Sequence, residues 1–429
     1  MNSPHSIPAF LLLLLLLLLL SSLSSSLSIN TPIIKPPSPT SYYIHIPFCR
    51  RRCNYCDFAI VPVGPTPSTD LTLTYKSSLQ KEITQTSINF TPSPLKTIYI
   101  GGGTPSLMSS SYISSILSTL KSHYPITSDC EITLEMDPGT FSFKKLKDLK
   151  IAGINRISLG VQSFEDEILE SIGRVHRLND VEESVEMIKR LDCFEWSIDL
   201  ISGLPGETVE SFESTLNHAL KLKPDHISLY DLQVEPRTFF GRRYKTENND
   251  ILEDYKNELI PLPSFSEVAE MYRIGSRILR NGGYEHYEVS SFCRGGKRGR
   301  HNSNYWGFKS EWLAGGLGAA SCVGGRRGGR AREMRDYVEW VEEGGVLEEE
   351  EPDPLMDYIT TGIRTSSGID LNLISHHFGF STVSKILKSV NHAIERKLVV
   401  HEEGRVMLTD PEGMLFSDYV CREIFVNLL

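Results

Sequence analysis

Six strand-like segments alternate with helical stretches through the first half of the chain. They lie at residues 42–46, 97–100, 131–135, 156–161, 196–200 and 226–230. Between the fourth and fifth segments, Val181, Val185 and Ile188 share one helix face. Asn179 or Asp180 is available as the N-cap of that helix. Six β-α units in order predict an α/β fold with a parallel sheet curved into a partial barrel, and such barrels bind ligands at the C-terminal ends of their strands.

The N-terminal segment has the composition of a targeting leader. Residues 11–20 are ten consecutive leucines, too few for a membrane-spanning helix, which needs about 20 apolar residues. The segment contains no basic start typical of a secretory signal, no acidic residue and no arginine. We interpret residues 1–40 as a cleavable leader that directs the chain to a mitochondrion or chloroplast, with a secretory signal or a cytoplasmic location as alternatives. The mature protein is then expected to have no membrane span.

The second half of the chain divides at changes in composition. Residues 41–260 would form the barrel, and residues 261–347 an extension with a glycine- and arginine-rich loop at 293–332. The acidic run 348–351 has the character of a linker. Residues 348–429 then form a small helical domain, in which strand candidates at 398–401 and 406–409 predict a winged-helix-like shape.

Charge and cysteine content narrow the function classes. The 429 residues have a formal net charge of −10, which argues against sequence-independent nucleic-acid binding. Eight cysteines are too few in a chain of this length for a disulfide scaffold. Five of them have no evident partner and are expected to pack in the interior: Cys130, Cys193, Cys293, Cys322 and Cys421.

The other three cysteines, Cys49, Cys53 and Cys56, form a C-x3-C-x2-C loop directly after the first strand. A structural zinc site requires four ligands, which His45 could complete, and three unrelated loop cysteines are the remaining alternative. Three thiolates also suit a 4Fe–4S cluster that leaves one iron free for a ligand.

The stretch 43–58 around these cysteines resembles the signature of the radical S-adenosylmethionine (SAM) family. An aromatic residue directly before the third cysteine belongs to that signature, and Tyr55 supplies it. The resemblance extends to the group that contains oxygen-independent coproporphyrinogen III oxidases and HemW-like heme chaperones. It implies a 4Fe–4S cluster on Cys49, Cys53 and Cys56, with the amino and carboxylate groups of SAM on the open iron. One electron from the cluster then cleaves SAM to methionine and a 5′-deoxyadenosyl radical.

The same resemblance implies a set of SAM-binding residues at successive strand ends. A glycine-rich turn follows the second strand, Glu135 ends the third, and the later strands contribute further polar residues. The implied set is Tyr43, Tyr55, Gly102, Gly103, Thr104, Glu135, Gln162, Arg174 and Asp199. Within it, Glu135 would accept hydrogen bonds from ribose hydroxyls, and Arg174 would pair with a carboxylate.

Two departures separate this chain from the oxidase branch. The oxidases have a further cysteine two positions after the third cluster cysteine, where this chain has Phe58, and they have an N-terminal extension where this chain has its leader. The segment 301–306 instead resembles the H-N-x-x-Y-W motif of HemW-like chaperones. His301 would bind heme iron, while Tyr305 and Trp306 would stack on the porphyrin.

Four arginines of this region are candidates for the heme propionates: Arg298, Arg300, Arg326 and Arg327. One departure from the family concerns position 320, where Ala320 replaces a usual histidine. We therefore expect a heme chaperone that binds a 4Fe–4S cluster, SAM and heme, receives electrons from a donor and passes heme to apo-proteins. The alternatives are oxidative decarboxylation of coproporphyrinogen III and a non-catalytic protein that uses SAM structurally.

Overall fold

The computed structural model describes residues 37–244, 246–247, 250–251 and 260–428. Most of the expected leader therefore lies outside the described residues. Residues 37–40 are part of the folded unit, since Ser38 N donates to Thr91 O at 3.0 Å and Lys96 N donates to Thr40 O at 2.7 Å. None of the helices in the described ranges is both long and apolar enough to cross a membrane.

A nine-stranded sheet forms the centre of the molecule. Its strands are β1 Ser41–Ile46, β2 Leu95–Gly102, β3 Ile126–Met136, β4 Arg156–Gln162, β5 Glu195–Ser202, β6 His226–Asp231, β7 Glu285–Glu288, β8 Ser291–Cys293 and β9 Leu313–Gly315. Strands β1 to β6 are parallel and lie in chain order, so all six predicted strands are confirmed. Each extends beyond its predicted bounds by one to six residues in total, because backbone pairing continues past the apolar run.

Helices connect the parallel strands and cover the outside of the sheet. They are α1 Thr69–Ser87, α2 Ser110–His123, α3 Phe143–Ala152, α4 Leu178–Leu191 and α5 Val209–Leu222, and α6 Phe265–Asn281 follows β6. The predicted N-cap of α4 was wrong. Arg177 precedes the helix, and Asp180, in its first turn, accepts the Arg177 backbone N–H at 2.8 Å.

The sheet is strongly curved. Tyr99 on β2 and Tyr230 on β6 line the same cavity, although a flat sheet would separate these strands by about 19 Å at the usual spacing. Side chains alternate between the two faces of each strand. On β2, Ile98 and Ile100 pack in the hydrophobic core between the sheet and its helices, whereas Tyr99 faces the interior of the barrel with the polar residues of the site. The expected partial barrel is therefore present.

The edges of the sheet gain strands that were not predicted. β9 adds parallel to β1, and the hairpin β7–β8 adds antiparallel to β6. The supposed glycine- and arginine-rich loop is thus partly regular: it contains β9, the helix Arg300–Asn304, and a hairpin of Ala320–Val323 with Arg326–Gly329. The acidic run is not a free linker, since Glu349–Glu350 pairs with that hairpin.

The C-terminal region has its own hydrophobic core. After α7 Met334–Glu342, it comprises α8 Pro354–Gly362, β10 Ile369–Asp370, α9 Leu371–Phe378, α10 Phe380–Glu395, β11 Val399–Glu402, β12 Arg405–Leu408, the short helix Glu412–Leu415 and α11 Ser417–Leu428. β12 pairs with both β10 and β11, which gives the order of helices and strands expected of a winged helix. Its core also receives Tyr272 from α6. The predicted domain boundaries stay a prediction.

Candidate functional site

A cavity of about 620 Å³ opens at the C-terminal ends of the parallel strands. All three cysteines of the loop after β1 line it, opposite polar side chains from β2 to β6. The sheet curvature brings these strand ends together, so residues far apart in the sequence share one wall. The fold thus places the loop cysteines where the sequence predicted a ligand site.

The three loop cysteines are free thiols at the cavity wall. Cys49 is buried, and burial raises the pKa of its thiol to about 12, although the Thr104 hydroxyl donates to its Sγ at 3.5 Å. Burial also raises the pKa of Cys56. In the described part of the chain no three His, Cys, Asp or Glu side chains converge on a single ion. Three thiolates on one loop fit a 4Fe–4S cluster with one open iron, and a cluster would supply the positive charge that thiolates need.

Cationic and amide side chains that the sequence analysis did not single out hold the cysteine loop in shape. Arg52 donates to the carbonyls of Cys56, Phe58 and Ile60 at 3.0–3.2 Å. Arg51 donates to the Gly173 carbonyl at 2.6 Å, and Asn54 donates to the Ser171 carbonyl at 2.8 Å. The loop is thereby tied to the segment after β4. The run of three arginines between Cys49 and Cys53 was the available signal for this role.

The turn after β2 needs glycines because a side chain there would clash with neighbouring residues. Gly102 has φ +116°, and a Cβ there would lie 2.5 Å from the His45 ring. A Cβ on Gly103 would lie 2.7 Å from the backbone of Pro47. Both glycines also line the cavity, and Gly102 N donates to Glu135 Oε2 at 2.9 Å. The turn therefore brings the end of β2 close to the cysteine loop.

Glu135 is a half-buried carboxylate near the end of β3. Its Oε1 accepts from the Tyr99 hydroxyl at 2.8 Å, in addition to the Gly102 bond on Oε2. Burial raises the pKa of Glu135 to about 7, and these two hydrogen bonds offset part of that effect. Each oxygen retains a second lone pair, so Glu135 can still accept a ligand hydroxyl.

Arg174 is paired with a carboxylate of the protein itself. Its Nη2 donates to Asp137 Oδ1 at 2.5 Å and to the Gly160 carbonyl at 2.8 Å, and its Nη1 lies 3.6 Å from Cys53 Sγ. Asp137 also accepts from Thr104 at 3.3 Å. The sequence analysis missed Asp137, although it lies two residues after Glu135. Arg174 and Asp137 connect the cysteine loop to β3 and β4.

Gln162 and Asp199 offer unused polar groups to the cavity. Gln162 has φ +69° at an irregularity in the β4–β5 pairing, a conformation that is uncommon for non-glycine residues. Asp199 Oδ2 accepts from Ser158 at 2.8 Å, while its Oδ1 is buried without a partner among the residues that the structure describes. Burial raises the pKa of Asp199. A buried orphan oxygen facing the cavity fits a hydroxyl or amino group of a ligand such as SAM.

The two predicted tyrosines have different positions. Tyr55 lines the cavity, and its ring packs against the hydrophobic cluster around Ile168 and Leu169. Tyr43 does not line the cavity. Its hydroxyl lies 3.0 Å from His45 Nδ1, and its ring stacks on Tyr99 inside the barrel. Tyr43 therefore packs behind Tyr99, which lines the cavity.

His301 does not line the cavity; it lies behind Tyr99, on the side nearer the start of β2. It is only 1% exposed and lies beside Thr97, near the start of β2. Nδ1 lies 2.9 Å from Thr97 Oγ1, and Nε2 lies 2.7 Å from the Tyr305 hydroxyl. Because the Thr97 hydroxyl donates to Ser41, we assign the ring proton to Nδ1. Burial lowers the pKa of His301 to about 3.

The structure therefore does not place His301 where heme iron can reach it. The Nε2 lone pair accepts from Tyr305, and the ring stacks on Tyr99 with centroids 5.3 Å apart. Glu131 fixes the segment further, since its carboxylate accepts the backbone N–H groups of Arg300 and His301 at 3.0 Å. The prediction did not account for this burial, because the motif alone does not show which way the helix Arg300–Asn304 faces.

The other residues expected around heme are also engaged elsewhere. The four arginines form ion pairs: Arg298 with Glu285, Arg300 with Asp129, Arg326 with Glu349 and Glu351, and Arg327 with Asp357. Tyr305 packs edge-on against Trp312, and Trp306 is half-buried. Ala320 is exposed and does not line the cavity. Of the five remaining cysteines, four are buried as expected, and Cys193 is half-buried.

Comparison with known proteins agrees with this geometry. A family model described as the radical SAM superfamily matches residues 43–219. The chain is 35% identical over 418 residues to a Synechocystis protein named heme chaperone HemW, and the match covers 91% of this chain and 97% of the relative. It is 31% identical to a mouse protein named radical S-adenosyl methionine domain-containing protein 1, mitochondrial, over 70% of this chain and 66% of that protein.

Among solved structures, the fold is similar to that of coproporphyrinogen III oxidase (HemN) from Escherichia coli. The TM-score is 0.75 at 23% identity, with 91% of this chain and 90% of that chain covered. At this identity the likeness establishes the fold, a radical SAM barrel with a C-terminal helical region, and does not by itself assign the reaction.

Proposed function

Because this chain belongs to the HemW family within the radical SAM superfamily, we propose that it binds a 4Fe–4S cluster and SAM in the barrel cavity and acts as a heme chaperone that passes heme to apo-proteins. The observation that carries the proposal is the set of three free thiols on one wall of a cavity whose other walls carry Glu135 and Asp199. The chain also spans nearly the full length of a relative named as a heme chaperone.

Different residues of the cavity would bind the cluster and SAM. Cys49, Cys53 and Cys56 would hold three irons, and the cluster when bound would supply one electron to SAM. Glu135 and Asp199 would accept hydrogen bonds from polar groups of SAM, and the Arg174–Asp137 pair would position Cys53. The cavity walls around them would limit the access of water to the sulfonium of bound SAM.

Phe58 favours the chaperone over the oxidase. It replaces the additional cysteine of the oxidase pattern, and its side chain is 68% exposed at the cavity mouth. A phenyl ring has no thiol with which to supply a further ligand or redox group at this position. We therefore expect the protein to bind heme and to release no carbon dioxide from coproporphyrinogen III.

Two assays on the same preparation test the proposal. The full chain is reconstituted anaerobically with iron and sulfide, then titrated with heme, and separately incubated with coproporphyrinogen III, SAM and a reductant. Stoichiometric heme binding without carbon dioxide release supports the chaperone. Conversion to protoporphyrinogen would overturn it in favour of the oxidase.

Single cysteine variants test the cluster assignment. Cys49→Ala, Cys53→Ala and Cys56→Ala should each fail to retain about four irons per chain, because two thiolates hold a cubane poorly. Cys193→Ala is the matched control, since Cys193 lies away from the cavity. A loop variant that keeps the iron and sulfide content of the control would remove that residue from the ligand set.

We also propose delivery to a mitochondrion or plastid and reduction by an electron donor. The acid-free, serine-rich composition of the leader and the need of the cluster for reduced thiols support an organelle. A fluorescent protein fused to residues 1–60 should enter an organelle in plant or animal cells. Secretion of this fusion would contradict the proposal.

A further inference from the structure

Heme bound through histidine requires an imidazole nitrogen that the iron can reach. Eleven of the twelve histidines lie among the described residues, all except His5. Five of them are no more than 6% exposed: His45, His176, His226, His286 and His301. Each of these five has a ring nitrogen within hydrogen-bonding distance of a protein group. The barrel histidines are therefore structural in this conformation.

Four of the six remaining histidines are also unsuited to hold iron. His123 contacts the hydroxyls of Thr84 and Ser87, both at 3.1 Å. His218 stacks on Phe164 with centroids 4.3 Å apart. His392 lies 3.7 Å from Glu395. His401 is exposed on β11, where no aromatic ring contacts it in the described structure.

The remaining two, His376 and His377, form an exposed pair in the last turn of α9. Their rings are 4.8 Å apart and nearly perpendicular, at 80°. Within the described ranges neither ring forms a hydrogen bond or an ion pair, so their nitrogens are available to a ligand. The pair therefore differs from every other histidine in combining exposure with an aromatic environment.

Two phenylalanine rings, those of Phe308 and Phe378, contact the pair at His377. Phe308 packs with its ring centroid 4.8 Å from that of His377, and Phe378 lies 6.1 Å from Phe308. Phe380 follows at the start of α10 and is 75% exposed. These rings offer the apolar surface that a porphyrin face requires next to its axial ligand.

A cation stands beside the same surface. The Lys309 ammonium lies 5.3 Å from the Phe308 ring centroid. Desolvation lowers the pKa of His377, and the charge of Lys309 lowers it further. A neutral imidazole is the form that binds iron, and a lysine suits a propionate. Ligand, apolar face and cation therefore occur together at one place.

We propose that His376 and His377, with Phe308 and Lys309, form the heme-binding surface of this protein, an inference that rests on the proposed chaperone function. One of the two imidazoles supplies the axial bond to iron, Phe308 contacts the porphyrin face and Lys309 pairs with a propionate. The site lies on the C-terminal region, outside the barrel cavity.

This assignment gives the segment 301–306 a different part in heme binding. His301 and Tyr305 hold the segment inside the barrel, and the chain then passes to Phe308, whose ring packs on Tyr358 of α8 and on α9. The motif thus positions Phe308 against the C-terminal core rather than donating an iron ligand. His301 is a positioning residue in this arrangement.

The test uses the full chain with its cluster reconstituted, titrated with hemin and followed by the Soret absorption in the oxidised and dithionite-reduced states. The double variant H376A/H377A should bind hemin at least ten-fold more weakly and lose the spectrum of the imidazole-bound iron. H392A/H401A, which removes two other exposed histidines of the same region, should match the wild type. Equal melting temperatures verify that both surface variants fold.

The outcomes separate this inference from the proposed function. If the wild type binds hemin and H376A/H377A retains the same affinity and spectrum, the site is wrong while the chaperone function stands. If the wild type itself binds no hemin, both fall. A ten-fold loss confined to H376A/H377A supports both, and Lys309→Glu should then weaken hemin binding without removing the imidazole-bound spectrum.

Discussion

Replacing Glu135 by Gln should stabilise the apo-protein at alkaline pH while weakening its hold on SAM. Glu135 is half-buried, and its desolvation raises its pKa from 4.5 to about 7. The folded state therefore binds a proton that the unfolded chain releases between these values, and stability is lost as the pH rises through this window. At about 1.4 kcal/mol per pKa unit, the loss is complete above pH 7 and amounts to about 3 kcal/mol.

The glutamine removes this titration and keeps the local hydrogen bonds. Its amide oxygen can accept from Gly102 N, and its NH2 group can donate to the Tyr99 hydroxyl. Relative to the wild type, Glu135→Gln should therefore gain about 2–3 kcal/mol between pH 5 and pH 8. Its affinity for SAM should fall at pH 8, because the carboxylate acceptor for ligand hydroxyls is lost.

The assay is urea denaturation of the cluster-free full chain at pH 5 and pH 8, with wild type and variant compared at each pH. Comparing differences cancels every other titrating group. Glu186→Gln on the exposed face of α4 is the control variant and is measured at the same two pH values. If Glu135→Gln shows no more pH dependence than Glu186→Gln, Glu135 is already ionised near its ordinary pKa and the argument from burial fails.

Three further predictions concern stability and the placement of the motifs. Glu82→Ala should destabilise the protein by about 3–5 kcal/mol in denaturant titrations, because it leaves Arg330 as a buried unpaired cation. Both side chains are only 1% exposed. An unfolding midpoint equal to that of the wild type would show that water solvates this pair. Gly102→Ala should lower the melting temperature, since its φ of +116° and the His45 ring 2.5 Å from the new Cβ both oppose an L side chain; an unchanged melting temperature would mean that the turn relaxes freely. His301→Ala should cost about 1–3 kcal/mol for each of its two abandoned hydrogen-bond partners, measured by denaturation; undiminished stability would show that the segment is not anchored in the barrel.

Local sequence patterns were enough to predict the barrel and the position of its cysteine loop. Apolar runs with β-branched residues form parallel strands wherever helices can cover them, so the six strands follow from segments that need no long-range information. The C-x3-C-x2-C spacing likewise lies within one loop, and its position after β1 places the thiols at the C-terminal edge.

Only the tertiary structure decided which groups meet each other. Arg174 has Asp137 as its partner because the curved sheet brings two strand ends together, and no spacing in the sequence encodes that distance. His301 is a buried anchor because Thr97 and Glu131 meet it across the barrel, whereas His376 and His377 stay exposed because α9 turns them away from the C-terminal core. Burial depends on what packs against a residue from elsewhere in the chain, so a motif can show that a histidine matters before the fold shows what it contacts.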